Sequence, residues 1–133
     1  MIKTLILKVL MTSPNPELLL SICNVETKLR NVINYNDGRS HSYGLCQIKL
    51  NTARLFDKRA TVKKLMNIEY NIKIASKYLE WQLKRYANDT VKAVSAYNAG
   101  KFKLSNNKYV QKVFKERVNF SRELFYLNLV KGI

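Results

Sequence analysis

Apolar residues recur at helical spacing through most of this chain. Leu5, Val9 and their neighbours predict a short first helix. Asn15 as N-cap, Pro16 at the first helical position and Glu17 beside the positive helix end start a second, which should run to about Thr27 or Leu29. From Asn31 to Tyr43 the apolar period is lost, and Asn36-Asp37-Gly38 is a turn signal, so an irregular loop or small hairpin is expected there. From Thr61 onward Leu65, Ile68, Ile72, Ala75, Leu79 and Leu83 form the best-defined amphipathic stripe. Asn88 or Asp89 should cap the next helix, which ends near Asn98 with Gly100 as its left-handed C-cap. A last helix over about Asn107 to Val118 precedes a basic-aromatic tail. The fold class is mainly α, compact and single-domain, with a short irregular or hairpin segment between helices.

Size and composition narrow the possibilities. A chain of 133 residues makes one domain, large enough to bury a core without a metal or disulfide staple. With 47% hydrophobic and 25% charged residues it is globular in composition, and four Gly with two Pro exclude collagen-like or linker-rich architectures. The net charge of +15 favours polyanionic partners: nucleic acid, anionic membrane or an acidic wall polymer. Lys8 interrupts the N-terminal apolar run, so no conventional export signal is read, and no segment reaches the ~20 apolar residues of a membrane span. Cys23 and Cys46 lack metal-ligand spacing and form no disulfide framework; buried free thiols are expected, with a bridge between the two as the less favoured alternative.

One carboxylate stands in an unusual place. Leu19, Ile22 and Cys23 precede Glu26 by seven, four and three residues, which puts it on or beside the core-facing stripe of the second helix. It also falls in the last turn, where the helix dipole disfavours negative charge. Burial and dipole together favour a protonated carboxyl, the state a general acid needs. The alternative is an edge Glu paired with Arg30, four residues on.

Three ordered segments change that balance. Asn15-Pro16-Glu17-Leu18-Leu19-Leu20-Ser21-Ile22-Cys23-Asn24-Val25-Glu26-Thr27 resembles the helix of soluble lytic transglycosylases, Asp-Pro-x-Leu-Leu, an apolar stretch, then Glu-Ser. Gly44-Leu45-Cys46-Gln47-Ile48 is similar to that family's Gly-Leu-Met-Gln-x, and Asn51-Thr52-Ala53 follows where Pro-x-Thr-Ala is common. Ala96-Tyr97-Asn98-Ala99-Gly100 matches the Ala-Tyr-Asn-Ala-Gly signature. Asn67-Ile68-x-x-Asn71-Ile72 through Tyr78-Leu79 looks like the family's Asn-Ile-x-x-Gly-x-x-Tyr-Leu helix, and Tyr109-Val110-x-x-Val113 fits its closing helix. The resemblance covers about Leu5 to Val118, implying a lysozyme-like domain over 1–118 with the tail, 119–133, packed on it. Two departures stand out. Thr27 replaces Ser and keeps the hydroxyl; Cys46 replaces Met and reads as a smaller apolar filler.

The resemblance implies cleavage of the β-1,4 bond between N-acetylmuramic acid and N-acetylglucosamine, with Glu26 as general acid and then base and a 1,6-anhydro product. By the same resemblance Thr27 supports the acid and Tyr97 hydrogen-bonds its carboxyl. Gly44, Leu45, Gln47 and Asn98 would line the sugar subsites. Tyr109 is either a further sugar contact or a core tyrosine, and Tyr35 and Tyr43 either stack on sugars or pack within the loop. Goose-type lysozymes are related, and Asp37 lies in the matching loop. At roughly 6.5 to 9.5 Å from Glu26 it would permit hydrolysis, although Asp-Gly is first a turn pair. His41 reads as a loop residue. No metal or cofactor is implied.

The expected partners are peptidoglycan strands and the anionic envelope, with no specific nucleic acid, no membrane span and a monomeric state. The expected setting is the bacterial wall, in cell lysis or local wall opening by a phage, reached through a membrane lesion or a delivery apparatus. The tail over 120–131 either packs on its own domain, the favoured reading, or touches membrane. A basic helical nucleic-acid binder and a wall-binding protein with an inert Glu are the competing classes.

Overall fold

A computed structural model of the protein describes residues 2–35 and 40–131, with side chains described through residue 122. Among these residues are seven α-helices, one 3-10 turn and a two-stranded hairpin.

Helix α1 (Ile2–Leu10) buries Ile6 and Leu10, one position off the Leu5 and Val9 stripe the sequence suggests. This helix is apolar on nearly every side, so periodicity alone does not pick the buried face. Helix α2 (Pro16–Thr27) begins where expected, but the Asn15 side chain makes no local cap. Its amide instead donates to Glu80 Oε1 at 2.6 Å, tying the start of α2 to a helix 65 residues on. Leu18, Leu19, Leu20, Ile22 and Cys23 are all buried, making α2 the central helix of the core.

The chain leaves α2 through Lys28 and Leu29, both at positive φ (56° and 59°). Strands β1 (Ile33–Asn34) and β2 (Ser42–Tyr43) then pair antiparallel, Ile33 opposite Tyr43 and Asn34 opposite Ser42. Helix α3 (Leu50–Phe56) is too short to register as a period in the sequence. The stripe beginning at Thr61 is two helices rather than one: α4 (Val62–Leu65) is a single turn, and α5 (Ile68–Arg85) restarts after it. The break is chemical. The Asn67 carboxamide accepts the Tyr70 backbone N–H at 3.0 Å, so Asn67 starts a new helix instead of continuing the old one.

Helix α6 (Thr90–Ala99) starts at an Asp89 cap and ends on Gly100 at φ 83°, as the sequence indicates. Helix α7 begins at Asn107 after the 3-10 turn Leu104–Asn106, and it continues to Lys131, well past Val118. No Gly or Pro interrupts that extension. Phe120 packs against the core, and the Ser121 hydroxyl donates to Glu17 Oε2 at 2.9 Å, so α7 lies along α2 at least to that point. The helix pairs in most extensive contact are α2 with α7 and α5 with α6. Among the described residues no helix is long and apolar enough to cross a membrane.

A candidate active-site cleft at the end of the second helix

Glu26 is the penultimate residue of α2 and is half-buried. It lines a cleft of about 150 Å³ together with Gln47, Lys49, Thr52, Tyr78, Tyr97 and Asn98. Three widely separated segments, ending α2, following β2 and ending α6, therefore converge on one carboxyl group. Among the described residues of this cleft Glu26 is the only acid.

The Gly44–Gln47 turn is held from several sides. Tyr43 and Ile48 exchange two backbone hydrogen bonds at 3.0 Å, closing the turn. Gly44 has φ 81°, and a Cβ there would strike the Asn71 carboxamide and lie 2.6 Å from the Leu65 carbonyl oxygen. Asn71 is fully buried with its carboxamide satisfied at both ends: Oδ1 accepts the Cys46 N–H at 2.9 Å, and Nδ2 donates to the carbonyls of Tyr43 (2.8 Å) and Leu65 (2.9 Å). Gln47 itself takes φ 55°, a left-handed conformation that costs a non-glycine residue on the order of 1 kcal/mol. Its amide nitrogen fixes it there by donating to the carbonyls of Gly44 (2.9 Å) and Val32 (3.1 Å).

The same turn is joined to the end of α2. The Thr27 hydroxyl is buried and lies within hydrogen-bond distance of the Leu45 (2.7 Å) and Cys23 (3.1 Å) carbonyls, while its oxygen accepts the Arg30 N–H. Arg30 donates through Nε to the Thr27 carbonyl at 3.1 Å, so its guanidinium helps close the helix end. Cys23 and Cys46 are disulfide-bonded, which corrects the expectation of free thiols. The two residues are 23 apart in sequence but face each other across the junction of α2 and the turn, with Cα atoms 4.3 Å apart. Cys46 is thus a covalent tie and not a filler.

Tyr97 is nearly fully buried, and its hydroxyl donates to the Cys46 carbonyl at 2.9 Å. A phenol carries one proton, and here it is directed at Cys46, which leaves the Tyr97 oxygen to act as an acceptor. Tyr97 is coupled to Glu26 electrostatically: burial, then the Glu26 charge, then Tyr78 hold its phenol well above the usual range. Tyr109 behaves alike, raised first by burial and next by Glu26. Its hydroxyl is buried with no hydrogen-bond partner among the described residues, while its ring packs against the core. Two neutral phenols therefore stand in the field of one carboxyl group.

Of the residues singled out in the sequence, Glu26, Gln47, Tyr97 and Asn98 meet in the cleft. Thr27, Gly44, Leu45 and Tyr109 do not line it; Thr27, Gly44 and Leu45 shape the turn and helix end behind it. Asp37 lies outside the described residues. Lys49 lines the cleft without having been singled out, and Thr52 and Tyr78 had been noted only as parts of motifs. A larger hollow, about 770 Å³, lies between the end of α1 and the outer face of α5. It contains none of these residues, and its Glu80 is engaged with Asn15, so size does not identify the site.

A family model described as the transglycosylase SLT domain matches residues 7–120. No curated protein and no solved structure matches the chain.

Proposed function

The chain belongs to the transglycosylase SLT domain family, and from that premise we propose that Glu26 carries out both proton transfers of peptidoglycan cleavage. The family acts on the bacterial cell wall as lytic transglycosylases. Here the Glu26 carboxylic acid gives its proton to the glycosidic oxygen while the bond from that oxygen to the anomeric carbon of N-acetylmuramic acid breaks, leaving an oxocarbenium-like centre. The new carboxylate then takes the proton of the same sugar's C6 hydroxyl, whose oxygen attacks the anomeric carbon. The products are a 1,6-anhydromuramoyl end and a free 4-hydroxyl, and no water is consumed.

The observation that carries this reading is the half-buried Glu26 on the wall of a cleft where the ends of α2 and α6 and the turn after β2 converge. Tyr97 keeps the far side of the acid dry and fixed through Cys46. Gln47 and Asn98 supply amides to the sugar, and Thr27, Gly44 and Leu45 hold the turn that presents Gln47. Tyr109, whose buried hydroxyl has no hydrogen-bond partner among the described residues, donates to Glu26 once it is ionised. The +15 charge keeps this monomeric domain near the anionic envelope, in keeping with a phage lysis or wall-opening role.

Mass spectrometry of the fragments released from purified sacculi tests the proposal. Anhydro ends, one water lighter than hydrolysed ends, are expected from the native protein, and Glu26→Gln with an unchanged melting curve should release nothing. Reducing ends alone would replace this mechanism by hydrolysis, with Asp37→Asn the next variant. Binding without turnover would leave a wall-binding protein.

A further inference from the structure

Positive charge is not spread evenly over this molecule. Five of the eleven residues from Arg54 to Lys64 are Lys or Arg, against 24 in all 133. Asp57 is the only acid between Asp37 and Glu69, and it is already engaged: Oδ2 accepts the Tyr70 hydroxyl at 2.7 Å and Oδ1 the Arg59 N–H at 3.0 Å. Lys64 approaches the same carboxylate at 4.0 Å, whereas Lys58, Arg59 and Lys63 are exposed and make no ion pair among the described residues. The corner they occupy is held in shape. Arg54 donates through Nε to the Ala60 carbonyl at 3.3 Å, folding the 57–61 connection back over the end of α3, and Ala60 and Leu65 are buried. Among these cations two apolar side chains face solvent, Leu55 at 71% exposure and Val62 at 36%.

The two halves of this pattern ask for different chemistry in one ligand. A cation cluster around a satisfied acid attracts a dense array of phosphates. Exposed aliphatic side chains among the cations gain only where an apolar layer lies just behind those phosphates. We propose that the Arg54–Lys64 corner is a docking surface for an anionic phospholipid bilayer, with Lys58, Arg59 and Lys63 on the headgroups and Leu55 and Val62 entering the acyl boundary. A nucleic acid or another free phosphate polymer would match the cations but leave both aliphatic side chains in water. The consequence for the cleft is geometric. Leu55 follows Thr52 by three residues on α3, about one helical turn, and Thr52 lines the Glu26 cleft. Docking at this corner therefore holds the cleft beside the bilayer face, where it meets the membrane-proximal part of the wall. Only that last step rests on the glycan-cleaving reading; lipid binding does not.

Sedimentation with lipid vesicles tests the proposal separately from turnover. Native protein should pellet with mixed phosphatidylglycerol–phosphatidylcholine vesicles at low salt, be released as salt rises, and stay in the supernatant with pure phosphatidylcholine. The triple substitution Lys58→Gln, Arg59→Gln and Lys63→Gln should weaken partitioning about a hundredfold. Leu55→Ser, which withdraws one inserted side chain, should weaken it about tenfold. An equal-charge control, Lys108→Gln, Lys112→Gln and Lys115→Gln on the exposed side of α7, should lose less than about fivefold. Each variant is checked for an unchanged melting curve. No pelleting with either lipid, or equal pelleting with both, would overturn the proposal. Equal losses from the two triple variants would mean that net charge alone is read, and would overturn it too. Charge-dependent binding indifferent to Leu55→Ser would make the corner a site for a free phosphate polymer, with the same result. Failure of the anhydro-product test with these vesicle results intact would instead sink only the catalytic reading.

Discussion

The Tyr97 hydroxyl hydrogen-bonds the carbonyl of Cys46, the residue whose sulfur is bonded to Cys23, three positions before Glu26. Cys46 thereby joins α6, through Tyr97, to α2, through the disulfide, and its N–H reaches α5 through Asn71. Tyr97→Phe keeps the ring but leaves a buried carbonyl unpaired. It should cost about 1–2 kcal/mol in urea unfolding. Because the acid's surroundings loosen, sacculus turnover should fall by about tenfold. An unaltered rate would separate Tyr97 from the chemistry.

Replacing both Cys23 and Cys46 by Ala removes a cross-link over a 23-residue separation. Loop-closure entropy puts the loss near 3 kcal/mol, readable as a lower urea midpoint. Both residues are fully buried, so reductant added to folded protein should act far more slowly than reductant added in urea. A midpoint indifferent to reductant would mean that the bond contributes nothing.

Gly44→Ala should be among the most damaging small substitutions in the molecule. The added methyl would strike Asn71 and approach the Leu65 carbonyl, at a φ that already disfavours a side chain. A loss of about 3 kcal/mol is expected, with reduced turnover in whatever fraction still folds. Gly100→Ala makes a useful contrast: it shares the positive φ but meets open space, so it should lose only about 1 kcal/mol.

The acid and alkaline limbs of stability should both report on one surface pair. Tyr70 donates to Asp57 Oδ2 at 2.7 Å, the largest of several causes that hold the Asp57 carboxyl below its usual range. A lowered folded pKa means stability that is present above the unfolded value, about 4, and is lost as pH falls through the folded one. Tyr70 is pushed up to about 12, first by desolvation and then by the Asp57 bond and charge. That contribution is present below the unfolded value, about 10, and disappears as pH climbs through 12. Tyr70→Phe should shift the acid limb to higher pH and remove the alkaline one, as followed by melting temperature against pH and by the Asp57 carboxyl resonance.

Much of this arrangement is legible in the sequence because it is local. Pro16 and Glu17 start α2, Asp89 and Gly100 bound α6, and the spacing of Leu19, Ile22 and Cys23 turns Glu26 toward the interior. What could not be read depends on residues meeting across space. Nothing in the spacing of Cys23 and Cys46 says that their Cβ atoms face each other. Nothing near Asn15 announces Glu80, and the split at Asn67 turns on a side-chain bond that a clean apolar stripe conceals. Tyr97 shows the limit of motif reasoning: the signature located the residue in the cleft, but the partner of its proton is set by how the turn folds beneath it.

The polar ties to the turn after β2 end on peptide groups: Thr27 on the Leu45 carbonyl, Tyr97 and Asn71 on Cys46, and Asn71 again on Tyr43. A loop gripped by its backbone holds its path largely irrespective of the letters written along it, Gly44 and Gln47 excepted. Variation at 52, on the cleft wall but outside these ties, can then retune which wall polymer is accepted, so a saturation library confined to that position should yield altered ligand choice far more often than collapsed protein.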